Sequence, residues 1–274
     1  MVESISQNLK TLMSKSNDTN ENQDKGIGKD KNGVCADTIN EEDLTNWKLI
    51  DISGSEKFYI KWKGEKYEYG FKLLKYDFNK NGNPVLVIPG YSSKSGHWTF
   101  GRINNFIRSG LFDNKNISTL YIILFVGLKE IISDHVTQKE YYSENIHFQV
   151  SNHIDKIIRS PKMKLENLKI IARSAGASHG IVLSKEKYVD SLYLAAPGYN
   201  KKTVEKYTES GRKIPIHIYW SINDRYINLK DEEKGILNLQ ILMDQYLGIH
   251  IYKYIDNENH GHNHRIPPEL VKRI

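Results

Sequence analysis

Ser174 is the side chain in this sequence whose surroundings most clearly indicate chemistry. An apolar run leads to it, the small residues Ala172 and Gly176 stand two positions to either side, and a helical pattern follows. Small neighbours at this spacing are typical of a serine on a tight strand-to-helix turn, where larger side chains would collide. Such a turn exposes the hydroxyl and sets the N–H of Ala175 at a helix N-terminus, where it can face a developing oxyanion.

A carboxylate and a group of histidines follow the serine along the chain, each after a predicted strand. Asp224 comes shortly after the apolar run 216–220, and the histidines come after an alternating pattern at 249–255. These histidines are His260, His262 and His264. An imidazole can take the proton of a serine hydroxyl, which is otherwise a weak nucleophile. A carboxylate can hold that imidazole in the required tautomer and stabilise the imidazolium.

The order serine, aspartate, histidine, with each residue after its own strand, resembles the α/β-hydrolase superfamily. The resemblance extends from about Trp47 onward. It implies a serine hydrolase of the carboxylesterase, lipase or thioesterase type. In that reading Ser174 is the nucleophile, His262 is the base and Asp224 orients the base. The resemblance implies no metal and no organic cofactor.

The identity of the base and of the acid stays open at this point. His262 follows Gly261, as the catalytic histidine commonly follows a glycine in hydrolases of this type, and His260 is the second choice. Asp224 also fits the cap of a following helix. The alternative carboxylates are Asp231 and Asp256.

The resemblance also predicts the oxyanion hole. One donor is the backbone N–H of Ala175, the residue after the nucleophile. The other is expected after the strand that ends at Gly90, where these hydrolases often have His-Gly-x. Here the sequence reads Pro89-Gly90-Tyr91, so Pro89 replaces the usual histidine and Tyr91 is expected to supply the N–H.

Three residues are predicted to contact substrate: Gly90, Arg173 and Tyr199. A cation at Arg173 can attract a substrate that carries a carboxylate or phosphate, or it can pair with a neighbouring acid. Tyr199 belongs to a set of aromatic residues that can line an acyl pocket or pack in the core. Both alternatives stay open for each side chain.

Two other kinds of site are disfavoured. The loop from Gly90 to Gly96 has five residues between its glycines, and His97 stands where a phosphate-binding loop requires lysine. A His-x-His-x-His segment can bind a metal, but no further motif supplies partner ligands. The sequence therefore predicts neither a nucleotide site nor a metal site.

Composition restricts the class of protein. The net charge of +6 comes from 39 basic and 33 acidic residues, and the lysines are dispersed, so a nucleic-acid groove is not indicated. No run of 18 apolar residues suggests a membrane span. Cys35 is the single cysteine, which excludes an intrachain disulfide. The first residues lack the features of a secretory signal, so a cytoplasmic location is expected.

Two regions differ in character. Residues 1–46 are mostly polar and are expected to be largely disordered, with a short amphipathic helix at the start that can dock on a protein partner. Residues 47–274 are expected to form a single α/β-hydrolase domain. The pattern predicts a mostly parallel central sheet with an antiparallel N-terminal hairpin, helices on both faces and a minimal or absent lid at 197–213.

Predicted helices cover 97–109, 140–159 and 229–247.

The resemblance implies a hydrolase that cleaves a carboxylic ester or thioester through an acyl-enzyme intermediate. The expected substrate is a small-molecule or lipid-like acyl compound. Two alternatives remain: a catalytically silent scaffold that binds a partner, and an acyltransferase on the same fold. Oligomeric state is not indicated.

Overall fold

A computed structural model describes twelve stretches of the chain. They are residues 47–50, 57–78, 81–90, 110–111, 113–161, 163, 165–195, 197–198, 201–209, 212–221, 251–256 and 268–274. The polar segment 1–46 and the predicted helices at 97–109 and 229–247 lie outside these residues.

Nine strands are described. They are β1 Trp47–Ile50, β2 Phe58–Trp62, β3 Glu65–Asp77, β4 Asn83–Ile88, β5 Ile117–Val126, β6 Leu168–Arg173, β7 Val189–Ala195, β8 Ile216–Ser221 and β9 Ile251–Asp256. Their order in the sheet is β1-β3-β5-β4-β6-β7-β8-β9, with β2 paired to β3.

The sheet is mostly parallel, as the sequence predicts. Strands β5, β4, β6, β7, β8 and β9 are parallel to their neighbours in that order. Strand β3 runs antiparallel to β5, and both β1 and β2 pair antiparallel with β3. Consecutive buried apolar residues in the parallel strands explain this arrangement, because such strands must be covered on both faces.

Strand β4 shows how the sheet separates two cores. Leu86 and Ile88 belong to the larger apolar cluster on one face, while Val85 and Val87 belong to the smaller cluster on the other. All four side chains are completely buried. Successive side chains of a strand point to opposite faces, so a strand without polar alternation fills both clusters.

Six helices are described. They are α1 Leu128–Asp134, α2 Gln138–Ser143, α3 Ile146–Ile158, α4 Gly176–Leu183, α5 Lys201–Thr208 and α6 Pro268–Val271. Buried residues of α3 and α4 join the larger cluster, and Leu270 and Val271 of α6 join the smaller one. Helices therefore cover both faces of the sheet. In the described part of the chain, no helix is long and apolar enough to cross a membrane.

The single helix predicted at 140–159 is wrong, because two helices occupy this stretch. Helix α2 begins earlier, at a capping box in which Thr137 and Glu140 bond each other's backbone N–H. Asn145 adopts a left-handed conformation, with φ at 62°, and separates α2 from α3. Asparagine tolerates this conformation better than most residues, but no glycine or proline marks the break.

Candidate active site

Ser174 stands directly after β6, in the turn that leads into α4. Its φ of 48° lies in the left-handed region. For a residue other than glycine this conformation costs roughly 1–2 kcal/mol, and it persists where the surrounding structure enforces it. The side chain is half-buried rather than enclosed. Ser174 is therefore a strained and accessible serine at the carboxyl end of a central parallel strand.

Three backbone hydrogen bonds hold this turn. The N–H of Ser174 donates to the carbonyl of Ala195, at the end of β7, over 3.1 Å. The carbonyl of Ser174 accepts from the N–H of Ala177 at 2.9 Å and from the N–H of Gly198 at 2.8 Å. The strained conformation is thus fixed from the neighbouring strand, from α4 and from the loop after β7.

Glycines allow other backbone segments to approach the turn. A Cβ added at Gly90 would stand 2.9 Å from the Cβ of Ser174. A Cβ added at Gly176 would stand 2.4 Å from the carbonyl oxygen of Pro89 and 2.5 Å from that of Ile88. Real Cβ atoms do not approach so closely, so both positions need glycine. The ends of β4 and β6 and the start of α4 are in close contact here.

Ala172 has a comparable steric role. Its Cβ would stand 2.7 Å from a Cβ added at Gly180, one turn into α4. Both residues are buried, so α4 packs tightly on β6. The small residues recognised in the sequence before and after Ser174 are therefore explained by helix–strand packing.

The N-terminus of α4 lies next to the serine. Ala175 occupies the cap position, and no side chain of the described residues caps the helix there. Unpaired N–H groups and the helix dipole favour negative charge at such an end. An oxyanion that develops beside Ser174 would meet this favourable potential.

The other predicted site residues fall in two groups. Gly90 lies against Ser174, and Arg173 is the half-buried last residue of β6. The remaining ones lie outside the described residues: Asp224, His260, His262, Tyr91 and Tyr199. The alternative acid Asp256 is the last residue of β9.

The strands that precede the predicted acid and base end on the same rim as Ser174. Strands β6, β7, β8 and β9 are consecutive and parallel. Ser221, the last residue of β8, pairs in register with Asp256, the last residue of β9. Parallel strands have their carboxyl ends at one edge of the sheet, where ligands bind in open α/β folds.

A buried polar network behind the turn was not anticipated from the sequence. His179 on α4 contacts Ser151 Oγ through Nδ1 at 2.8 Å and Tyr141 Oη through Nε2 at 3.3 Å. Ser151 donates its hydrogen to the carbonyl of His147 at 2.9 Å, so it accepts from His179 Nδ1–H. Tyr141 therefore donates to Nε2, which fixes the neutral tautomer of His179.

His147 continues the network from α3 to α5. Its Nδ1 donates to the carbonyl of Tyr141 at 3.3 Å, so its Nε2 accepts from the Thr203 hydroxyl at 3.0 Å. Burial lowers the pKa of His147 to about 4 and that of His179 to about 3. Both rings are therefore neutral near pH 7. The sequence does not predict this network, since nothing local shows that α2–α5 meet around the two rings.

In the described part of the chain, no group of three histidine, cysteine, aspartate or glutamate side chains could hold a metal ion. The histidines at 260–264 lie outside it, so the expected absence of a metal stays a prediction.

Similarity to known proteins appears in structure rather than in sequence. No protein-family model matches the chain, and no curated protein matches it. A predicted CIB-like hydrolase from Thermoplasma acidophilum superposes with a TM-score of 0.51 at 14% identity, over 83% of this chain and 96% of that one.

Two further solved structures are similar at a lower level. An alpha-beta serine hydrolase homologue from Coxiella burnetii has a TM-score of 0.49 at 12% identity, over 80% of this chain and 97% of that one. A dienelactone hydrolase from Anabaena variabilis has a TM-score of 0.47 at 12% identity, over 83% and 93% respectively.

The fold expected from the resemblance is confirmed. A mostly parallel sheet begins with antiparallel strands, carries helices on both faces and bears a serine on a strained turn between a central strand and a helix. Together with the likeness to the Thermoplasma protein, these features show that the chain has the α/β-hydrolase fold.

Proposed function

We propose that this protein is a serine hydrolase that cleaves a carboxylic ester or thioester through an acyl-enzyme intermediate. The observation that carries the proposal is the left-handed Ser174 between β6 and α4, with Gly90 against its side chain. A strained serine in this position presents its hydroxyl at the top of the sheet, as the nucleophile of an α/β-hydrolase does.

The reach of the chain supports His262 as the base. Strand β9 lies three strands from β6, which corresponds to roughly 14 Å at about 4.8 Å per strand. His262 follows Asp256 by six residues. An extended connection of that length spans up to about 20 Å, whereas the four residues to His260 span only about 14 Å. The connection is therefore long enough for His262 to reach Ser174, and His260 remains the second choice.

Asp224 is the proposed orienting acid. It follows the last residue of β8 by three positions in the sequence, and β8 lies between β7 and β9 in the sheet. From that position a carboxylate can reach the loop that carries His262 and hold the imidazole with one N–H toward itself. Asp256 ends the neighbouring strand and is the alternative to test.

The proposed reaction begins when Ser174 Oγ attacks the carbonyl carbon of the substrate. His262 takes the hydroxyl proton and passes it to the departing alcohol or thiol. The backbone N–H groups of Ala175 and Tyr91 stabilise the oxyanion. A water molecule, deprotonated by His262, then attacks the acyl-enzyme. Ser174 regains its proton, and a carboxylic acid is released.

Substrate contacts follow from the same geometry. Gly90 leaves room beside the nucleophile, and Arg173 is the last residue of β6, directly before Ser174. Tyr199 is the next residue in the sequence after Gly198, which contacts Ser174. Between β7 and β8 the described residues contain one helix of eight residues, α5. An insertion of this size favours an open site and a small-molecule or lipid-like acyl substrate.

A fluorophosphonate probe tests the proposal. Wild-type protein should be labelled, the label should map to Ser174, and Ser174→Ala should abolish labelling. With p-nitrophenyl esters, kcat should fall at least about a thousandfold in Ser174→Ala. His262→Ala should lose activity while His264→Ala retains it. A folded wild type that is not labelled would instead favour a silent scaffold, and ester products formed with added alcohols would indicate an acyltransferase.

A further inference from the structure

A chain of hydrogen bonds connects α2 to the carbonyl of Ser174. The Ser178 hydroxyl donates to the carbonyl of Gly198 at 2.8 Å, and the N–H of Gly198 donates to the carbonyl of Ser174 at 2.8 Å. Ser178 lies one helical turn after Ser174 and is completely buried. Tyr142 on α2 is hydrogen-bonded to the Ser178 hydroxyl. We call these contacts the Ser178 clamp.

The direction is determined for the two bonds of the clamp that lie nearest to Ser174. The Ser178 hydroxyl donates to the carbonyl of Gly198, and the N–H of Gly198 donates to the carbonyl of Ser174. Burial raises the pKa of Tyr142 to about 12. The phenol thus keeps its proton at neutral pH.

The Gly198 bond differs from the other two bonds that fix the turn. The bond to Ala195 joins the ends of neighbouring strands, and the bond from Ala177 lies within the first turn of α4. Gly198 belongs to a loop, and its own carbonyl is held by a side chain. A substitution can therefore release this bond while the backbone of the sheet and of α4 stays in place.

We infer that Ser178 is a positioning residue for the nucleophile: it fixes Gly198, which holds the carbonyl of Ser174 in the left-handed turn. This role rests on the proposed function of Ser174. Tyr142 assists from α2 through its hydrogen bond with the Ser178 hydroxyl. Without the hydroxyl, the Gly198 carbonyl loses its donor and the loop can shift. A shift of about 1 Å at a reacting group can lower the rate by up to about a hundredfold.

Three variants separate positioning from a loss of stability. Ser178→Ala removes the clamp, and Tyr142→Phe removes its outer member. Ser184→Ala is the matched control, because Ser184 is also completely buried, terminates the same helix and donates to Ile181 O at 2.6 Å, away from the turn. Thermal melts establish that each variant is folded.

The measurements are kcat and KM for p-nitrophenyl acetate and the rate of fluorophosphonate labelling. Ser178→Ala should lower kcat and the labelling rate about tenfold, with KM changed less than about twofold. Tyr142→Phe should lower both by about threefold. Ser184→Ala should match the wild type in both. A purely structural role of Ser178 would affect Ser178→Ala and Ser184→Ala alike.

Amide hydrogen exchange gives a readout that does not depend on activity. The Gly198 amide should exchange at least about tenfold faster in Ser178→Ala than in the wild type, and at the wild-type rate in Ser184→Ala. Wild-type kcat in Ser178→Ala, or a change confined to KM, overturns the positioning role. A wild type without labelling or turnover overturns the proposed function instead, and exchange at Gly198 then decides whether the clamp exists.

Discussion

Lys63 and Ser174 have nearly the same backbone conformation in very different surroundings. Their φ angles are 47° and 48°. Lys63 forms the two-residue turn between β2 and β3 together with Gly64, whose φ is 84°. It is exposed, and positive φ at both positions is what a tight hairpin turn requires. Ser174 instead lies between a buried strand and a buried helix.

The difference shows two ways in which a chain sustains left-handed strain. At Lys63 the constraint is local, because the pairing of Trp62 with Glu65 leaves only two residues to reverse the chain. At Ser174 the constraint comes from Ala195 at the end of β7, from Gly198 in the following loop and from Gly90 after β4. Strain that is enforced from several directions holds a side chain in one position, which a nucleophile needs.

The largest expected effect is on the free energy of unfolding when a glycine of each region is replaced by alanine. Gly176→Ala would force a Cβ to within 2.5 Å of two backbone oxygens, so we expect a loss of on the order of 3 kcal/mol in the free energy of unfolding. At Gly64, an added Cβ meets no described atom within 4 Å, and only its positive φ is unfavourable. Gly64→Ala should therefore cost about 1 kcal/mol. Urea denaturation compares the two, and equal losses would show that the turn at Ser174 relaxes freely.

The effect of intermediate size is the dependence of the free energy of unfolding on pH. His147 and His179 bind a proton at about pH 6.5 when unfolded but only near pH 4 and pH 3 when folded. The unfolded state therefore binds more protons between these values, and stability falls as the pH is lowered from 7. Each histidine should contribute about 2 kcal/mol of this loss between pH 7 and pH 5.

His179→Asn tests this contribution, because asparagine can donate to Ser151 but does not titrate. The variant should be less stable at pH 7, with a weaker dependence of stability on pH between 7 and 5. Denaturant titrations at each pH give the slope. Parallel curves of stability against pH for wild type and variant would show that His179 binds a proton as readily in the folded state as in the unfolded state. In the hairpin turn, Lys63→Ala should not change the dependence of stability on pH in a comparable way.

The smallest effect measures the strain itself. Replacement by alanine keeps a Cβ in the left-handed region, and replacement by glycine removes it. Lys63→Gly should exceed Lys63→Ala in stability by about 1 kcal/mol, and Ser174→Gly should exceed Ser174→Ala by a similar amount. Thermal or urea melts of the four variants give both differences. A difference near zero at position 174 alone would mean that the surrounding bonds do not enforce the conformation.

Most of the fold was predictable from local pattern. Continuous apolar strands such as β4 and β6 indicate a buried parallel sheet, and the antiparallel N-terminal hairpin, which β2 and β3 form, was expected as well. The break at Asn145 was not, because an asparagine inside a helical apolar pattern carries no strong stop signal. There the packing of α2 and α3 decides the backbone.

The candidate site was predictable only in part. Ala172, Ser174 and Gly176 are close in sequence, so their small sizes already indicate a tight turn. The clamp from Ser178 to Gly198 joins residues that are 20 positions apart, and the contact of His147 with Thr203 joins residues 56 apart. Neither pair has a periodicity or spacing that reveals it.

By itself, the sequence determined the alternation of strands and helices and the position of the strained turn, because both depend on apolar periodicity and on side-chain size over a few residues. The tertiary structure alone decided which distant groups meet there. Gly90 and Gly198 reach Ser174 from the ends of β4 and β7, and two neutral histidines, His147 on α3 and His179 on α4, are buried behind the turn. These contacts arise when separate strands end on one rim and their helices pack together, and no local property of the chain encodes them.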